Sequence, residues 1–525
     1  MADSTGLSAY ATQVAQGYTF AGPTLPLGAL VENDVAVPGA QVGLPLSMMN
    51  RHGLIAGATG TGKTRTLQGM AEALSTAGVP VFVADIKGDL SGLVIPGTAN
   101  DKLTARSASI GQNWQPTAFP VEFYSLGGVG YGIPIRTTVT DFGPLLLSKV
   151  LGLNDTQESS LGLIFHWADT QSLALLDLKD LQATIAFLIS DEGKAELKGI
   201  GGLSPATAGV ILREIVTLQS QGADVFFGEP AFATGDLLRL APDGRGLISA
   251  LELPAVQDRP ALFSTFLMWL LADLFHELPE VGDQDKPKLV FFFDEAHLLF
   301  TDASKAFLTQ VTQTVRLIRS KGVGVFFVTQ TPKDVPADVL SQLGNRVEHA
   351  LRAFTPDDET ALRATVRTFP NSPYDLEKLL TALGTGEAIV TVLTEKGAPT
   401  PVAWTRLRAP LSAMSPAPDP TILATVSASP SQAKYGAAVD RESAYELLTK
   451  RMANTAAQQA KTEADAAAAK EQNQSEHTTS SRSSHDSGGI IETVVKSSGF
   501  RSFLRSAGTV LGREITRTIF GTRSR

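Results

Sequence analysis

Gly57-Ala58-Thr59-Gly60-Thr61-Gly62-Lys63-Thr64 is the stretch on which the reading of this 525-residue chain turns. It matches the phosphate-cradling pattern G-x-x-x-x-G-K-[ST]. Gly57, Gly60 and Gly62 can adopt backbone angles closed to other residues, so successive N–H groups turn toward one anion. Lys63 adds a point charge for β- and γ-phosphates, and Thr64 offers a hydroxyl to Mg²⁺. The flanks suit the motif. Gly53–Ala56 is a short apolar run fit for a buried strand, and Thr64–Ala77 reads as a helix with Leu67, Met70, Ala71 and Leu74 on one face and Gly78 as its stop. Strand, glycine loop and helix in that order put the positive end of a helix against the phosphates. The cradle set is therefore Gly57, Ala58, Thr59, Gly60, Thr61, Gly62, Lys63 and Thr64, with Arg65 next in the helix.

A phosphate cradle also needs an acid to position the metal and a base for the attacking water. Leu289-Val290-Phe291-Phe292-Phe293-Asp294-Glu295 supplies both. The apolar run is a strand buried on both faces of a parallel sheet, and its carboxyl end presents two acids where open α/β sheets bind ligands. By position Asp294 holds Mg²⁺ and Glu295 orients or deprotonates water. A later strand, Val323–Val328, runs into Thr329 and Gln330, a polar amide placed to sense a γ-phosphate or hold the lytic water. The helix before it carries Phe307, Val311, Val315 and Ile318 as its buried stripe, with Arg316 and Arg319 flanking, and Arg346 opens the next strand. Each of these arginines is a candidate finger reaching a neighbouring subunit. His52, His166 and His276 show no metal-ligand spacing, and adjacency to the acids does not by itself make His297 catalytic.

The remaining composition sets bounds. The chain is 43% hydrophobic with a mean hydropathy of +0.06, enough for a substantial interior, and its length exceeds one ordinary core. The absence of cysteine removes disulfides, thiolate metal sites and cysteine nucleophiles, and suits a cytoplasmic location. No secretory signal and no bilayer-length apolar run is visible. A net charge of −9 speaks against nonspecific coating of nucleic acid, while leaving room for a ring with a basic pore.

Along the chain, residues 1–47 read as an N-terminal edge segment and 48–139 as the first part of an α/β core. Helical periodicity dominates 140–275, read as an insertion, and the core resumes over 276–410 with strands that include Val347–Leu351 and Ala388–Leu393. Residues 411–440 are rich in Pro, Ser and Ala and read as a linker; 441–489 read as an exposed helix followed by a disordered stretch. In the tail, 490–525, Phe500, Phe503, Leu504, Leu511, Ile515 and Ile519 share a helical face among Lys496, Arg501, Arg505, Arg513, Arg517, Arg523 and Arg525. That basic amphipathic tail suits contact with DNA, a membrane surface, a protein partner or its own domain.

These motifs resemble the HerA/FtsK division of P-loop ATPases, and within it the bacterial HerA-like family of YjgR type. The resemblance rests on Gly57–Thr64, Asp85-Ile86-Lys87-Gly88-Asp89, Phe293-Asp294-Glu295-Ala296-His297, Gly322–Gln330 with Thr331-Pro332, and Gly344-Asn345-Arg346-Val347-Glu348-His349. It implies an ASCE-type P-loop NTPase: a mostly parallel sheet flanked by helices, with one strand between the cradle strand and the Asp-Glu strand. It also implies ATP and Mg²⁺, Glu295 as base, Gln330 as sensor, and a homo-oligomeric ring, hexamer favoured, with Arg319 and then Arg346 as trans finger. Residues 1–47 are too few for the N-terminal β-barrel of HerA proper, and neither the membrane spans nor the winged helix of FtsK is apparent. Two readings follow: an ATP-hydrolysing ring motor acting on DNA, or an ATP-gated switch acting on protein partners or at a membrane.

Overall fold

The computed structural model describes residues 6–197, 199–282, 284–300 and 305–476. The basic tail and the stretch expected to be disordered after Glu476 lie outside the described residues, as does the side chain of Phe307. Up to Met452 the chain forms one compact unit; a second begins at Ala453, where the helix Ala444–Glu476 continues with exposed residues from 456 to 470.

Twelve strands build one sheet among the described residues. In chain order they are β1 (Thr24–Glu32), β2 (Val35–Pro45), β3 (Gly53–Ala56), β4 (Val81–Asp85), β5 (Val121–Leu126), β6 (Ile133–Ile135), β7 (Ile248–Glu252), β8 (Leu289–Phe293), β9 (Val323–Thr329), β10 (Asn345–Glu348), β11 (Glu387–Thr391) and β12 (Ala403–Leu407). Their spatial order is β2-β1-β12-β11-β10-β3-β9-β8-β4-β7-β5-β6. From β10 to β6 every pairing is parallel, and from β10 back to β2 every pairing is antiparallel. The cradle strand β3 and the Asp-Glu strand β8 are separated by β9 alone, the arrangement that the resemblance implies.

The central strands β3, β4, β8 and β9 are buried along their whole length, which is why they read as unbroken apolar runs rather than alternating ones. Aromatic rings knit them together. Phe291 lies 4.9 Å from Phe82 of β4, while Phe292 and Phe293 lie 5.4 and 5.6 Å from Phe326 and Phe327 of β9 (ring centroids).

Two parts of the chain differ from expectation. The stretch 140–275 does hold five helices between Val139 and Ser220, yet it also contributes β7, a sheet strand between β4 and β5. β7 is easily passed over in sequence because Ser249 and Ala250 interrupt its apolar, β-branched character. The Pro- and Ser-rich residues 411–440 are no free linker. They form the helices Asp419–Ala428 and Pro430–Tyr435 and dock on the core. Ser429 and Ser431 donate to the buried Glu122 (2.5 and 3.2 Å), and the fully buried Tyr435 donates to Asp236 (2.7 Å). Composition alone hides this because serine hydroxyls, which favour loops and caps, here satisfy a buried carboxylate.

His52, just before β3, is 2% exposed, and its Nδ1 accepts the Val325 N–H at 3.1 Å. Burial lowers its pKa from 6.5 to about 4, opposed by a backbone hydrogen bond and reinforced by the charges of Arg319 and Arg51. Between these values the unfolded chain binds the proton and the folded one does not. The stability His52 confers is therefore complete above the unfolded value and is lost as pH falls. The stability gap between the parent and His52→Gln, read from denaturant midpoints, should narrow from pH 7 to pH 5; a gap that stays constant or widens rules this out.

Candidate nucleotide site

The cradle occupies the carboxyl ends of the parallel strands. Gly57 follows β3 and donates its N–H to Thr329 O at the end of β9 (3.1 Å), and Ala58 N–H donates to Ala350 O just past β10 (2.8 Å). The loop is thus stitched to strand ends on both sides. A Cβ on Gly57 would lie 2.5 Å from the His349 Cβ, so only glycine fits there. Gly62, at φ +112°, then turns the chain into the helix Lys63–Thr76. Among the described residues no acceptor engages the amides of Gly60, Gly62, Lys63 or Thr64, as expected of a helix start built for an anion. Lys63 Nζ folds back onto Ala58 O at 3.2 Å.

The far side of the helix is anchored by residues absent from the motif. Buried Glu72 accepts the N–H groups of Leu411 (2.7 Å) and Ser412 (3.0 Å), and Gln68 donates to Ser412 Oγ (2.7 Å). On the sheet side Thr66 Oγ1 meets His349 Nε2 at 2.9 Å. Burial, with the nearby charge of Lys63, lowers the fully buried His349 to about 3, so it props the helix as a neutral ring.

The acid pair follows β8. Ala296 N–H donates to Val328 O at 2.8 Å, so the acid turn and the cradle hang from consecutive carbonyls of β9. Asp294 is 2% exposed; its Oδ1 accepts the Glu295 N–H (2.9 Å), while Oδ2 is buried with no partner among the described residues. Burial and the neighbouring charge of Glu295 raise its pKa to about 7. Glu295 adopts φ +46°, an angle rare for a non-glycine residue, and is itself buried. One oxygen pairs with Lys87 Nζ and the other lies 3.3 Å from His297 Nδ1. Burial works to raise its pKa, but the Lys87 hydrogen bond and the charges of Lys87, His297 and Lys63 hold it below the ordinary carboxylate range. Lys63 is likewise lowered by burial, with Glu295 and Asp294 opposing. The two motifs therefore sense each other's charge.

This donor set fits Mg²⁺ carried with a triphosphate. No cluster of three or more His, Cys, Asp or Glu able to hold a metal occurs among the described residues. A single orphaned carboxylate oxygen on Asp294 beside a phosphate cradle suits an ion that keeps its waters and takes most other ligands from phosphate.

The other sequence-predicted residues distribute unevenly. Gln330 follows β9 and is exposed, between the cradle and the acid turn. The side chain of Arg65 donates to Gln68 (2.8 Å) and lines a cavity of about 330 Å³ along the helix with Glu72, Gln112 and Arg408. Arg319 precedes the amino end of β9, so the length of that seven-residue strand, roughly 20 Å, separates it from its own cradle. Arg346 hydrogen-bonds Thr368 and is the cation whose charge opposes the rise of buried Glu348, which burial takes to about 7. Sequence reasoning gave no role to Lys87, His349 or Arg352. Lys87 could have been found in its turn: Asp85 accepts the N–H groups of Lys87 (3.2 Å), Gly88 (2.8 Å) and Leu90 (2.7 Å), the pattern of an acid that caps its own loop.

The model of the family described as "Helicase HerA-like C-terminal" matches residues 32–525. The chain belongs to that family and is a P-loop ATPase. It is 23% identical over 376 residues to the DNA double-strand break repair helicase HerA of Sulfolobus acidocaldarius, covering 71% of this chain and 67% of that protein. It is 31% identical over 153 residues to the probable helicase MJECL08 of Methanocaldococcus jannaschii, covering 27% of this chain and 28% of that one. Among solved structures it resembles the bacterial conjugative coupling protein TrwBdeltaN70, with TM-score 0.50, 15% identity and coverage of 78% and 94% of the two chains. TrwB in complex with the non-hydrolysable GTP analogue GDPNP gives 0.50 and 16%, covering 76% and 99%. At such identities these likenesses are of fold.

Replacing Lys63 by Ala removes the cation folded into the cradle without disturbing the bonds that stitch the loop to β9 and β10. Lys63→Ala should lose ATP binding in a fluorescent-nucleotide titration while keeping the parental melting temperature. Parental affinity would show that the loop is not the phosphate site.

Proposed function

We propose that this chain is the subunit of a cytoplasmic ring ATPase, a hexamer, that hydrolyses Mg-ATP to translocate or unwind DNA. The observation that carries the reading is the suspension of the glycine loop and the Asp294-Glu295 turn from the neighbouring carbonyls of Thr329 and Val328. The family and a relative described as a DNA repair helicase support DNA as the track.

In this reading the amides of Gly60, Gly62, Lys63 and Thr64 cradle the phosphates, and Lys63 leaves Ala58 O to neutralise the β- and γ-groups. Thr64 and Asp294 would hold Mg²⁺, which would supply charge neutralisation for the phosphates. Glu295, kept ionised by Lys87, accepts the proton of the attacking water, and Gln330 orients that water or reports the γ-phosphate. Arg319 lies too far from its own cradle and acts on a neighbour's, with Arg346 as the second choice. Loss of the γ-phosphate then loosens subunit contacts and moves the track. The basic tail, 490–525, adds a contact to DNA, anionic lipid or a partner. No described helix is long and apolar enough to cross a membrane.

Glu295→Gln should bind ATP but hydrolyse it at least about a hundredfold more slowly, since general-base removal costs on that order; a parental rate would remove Glu295 as the base. For the motor, ATPase activity should rise on adding double- or single-stranded DNA, and light scattering should give six times the 55.5 kDa chain mass. Activity indifferent to DNA in a monomer or dimer favours instead an ATP-gated switch working on protein or membrane partners.

A further inference from the structure

Arg352 stands beside the phosphate loop with no role in the account so far. The two residues before it are held in place: Ala350 O accepts the Ala58 N–H (2.8 Å), and the N–H of buried Leu351 donates to Leu380 O (2.9 Å). Its side chain is exposed, and Nη2 donates to Thr59 O in the phosphate loop at 3.3 Å. The guanidinium carbon lies 5.9 Å from the ring centre of Phe354, itself 82% exposed. Among the described residues no carboxylate comes within ion-pair distance of Arg352. After burial, its charge is among those that lower Lys63. Two cations thus rest on neighbouring carbonyls of one loop, Lys63 on Ala58 O and Arg352 on Thr59 O.

The geometry of the loop says which phosphate Arg352 faces. Lys63, at the helix start, reaches back to Ala58 O, and Arg352 holds the next carbonyl, Thr59 O, so both cations rest on the early part of the loop, before Gly60 and away from the helix start. A triphosphate seated with its inner phosphates on the helix start therefore carries its terminal group toward Thr59 and Arg352. We propose that Arg352 is a same-chain clamp for the terminal phosphoryl group of bound ATP, which trades its bond to Thr59 O for a forked pair to the γ-phosphate. The proposal rests on the nucleotide-site reading above and adds a specificity determinant to it. The exchange is favourable because a guanidinium–phosphate fork makes two parallel bonds between opposite charges, whereas the bond to Thr59 O is single, long and to a neutral acceptor. A diphosphate offers Arg352 nothing at that position, so the residue makes the site prefer ATP over ADP. Its place beside its own cradle distinguishes it from Arg319, which stands before the amino end of β9, away from that cradle.

The test measures binding rather than turnover. Full-length protein carrying Glu295→Gln is titrated calorimetrically with Mg-ATP and with Mg-ADP, alone and with Arg352→Ala or Arg352→Lys added. Arg352→Ala should weaken ATP roughly tenfold to a hundredfold, the range for losing a hydrogen-bonded charge, and leave ADP within about twofold. Arg352→Lys should recover part of the ATP affinity, since it restores the charge without the fork. Equal losses for ATP and ADP would mean that Arg352 merely shapes the loop, and unchanged affinities that it is a surface arginine; either overturns the proposal. A parent that binds neither nucleotide overturns the site reading itself and the clamp with it.

Discussion

Two consecutive carbonyls at the end of β9 organise this molecule. Thr329 O holds the first amide of the phosphate loop and Val328 O holds the amide just after the acid pair. Because neighbouring strands of a sheet lie about 4.8 Å apart, inserting one strand between cradle and acids leaves a gap on the scale of a phosphate chain with its metal. Direct adjacency would crowd the two motifs and a second inserted strand would part them. The parallel ladders of β9 with β3 and β8 that fix this spacing therefore serve the site as much as the core.

Charge is balanced across that gap by burial. Asp294 is held in a setting that disfavours its ionised form, with one oxygen lacking a partner among the described residues, while Glu295, the next residue, is kept ionised by Lys87. Adjacent carboxyls with opposed tendencies divide the work of holding a metal and taking a proton. Lys63 and Arg352, resting on the carbonyls of Ala58 and Thr59, present positive charge where the phosphates would enter. The site is thus poised for a polyanion rather than for a neutral ligand.

The antiparallel end of the sheet and the segment after it act at a distance through the phosphate-loop helix. Residues 411–413 satisfy Glu72 and Gln68 on one side of that helix, and His349 supports Thr66 on the other. A stretch whose composition reads as a tether is in this way part of the frame that fixes the cradle. Nothing in a run of Pro, Ser and Ala announces this, because the buried partners it serves lie more than 300 residues earlier in the chain.

By itself the sequence determined the local chemistry: the glycine loop, the lysine within it, the apolar strand closing on Asp294-Glu295, and the polar end of β9. These are short-range patterns, written in consecutive residues whose backbone freedom, charge and hydropathy suffice to define them. Only the tertiary structure decided that β7 enters the sheet, that 411–440 docks, that Lys87 meets Glu295, that Arg352 reaches Thr59, and that Arg319 stands at the wrong end of the sheet for its own cradle. Each of those depends on which distant segments become neighbours, and that is settled by the packing of whole strands and helices rather than by any one stretch of residues.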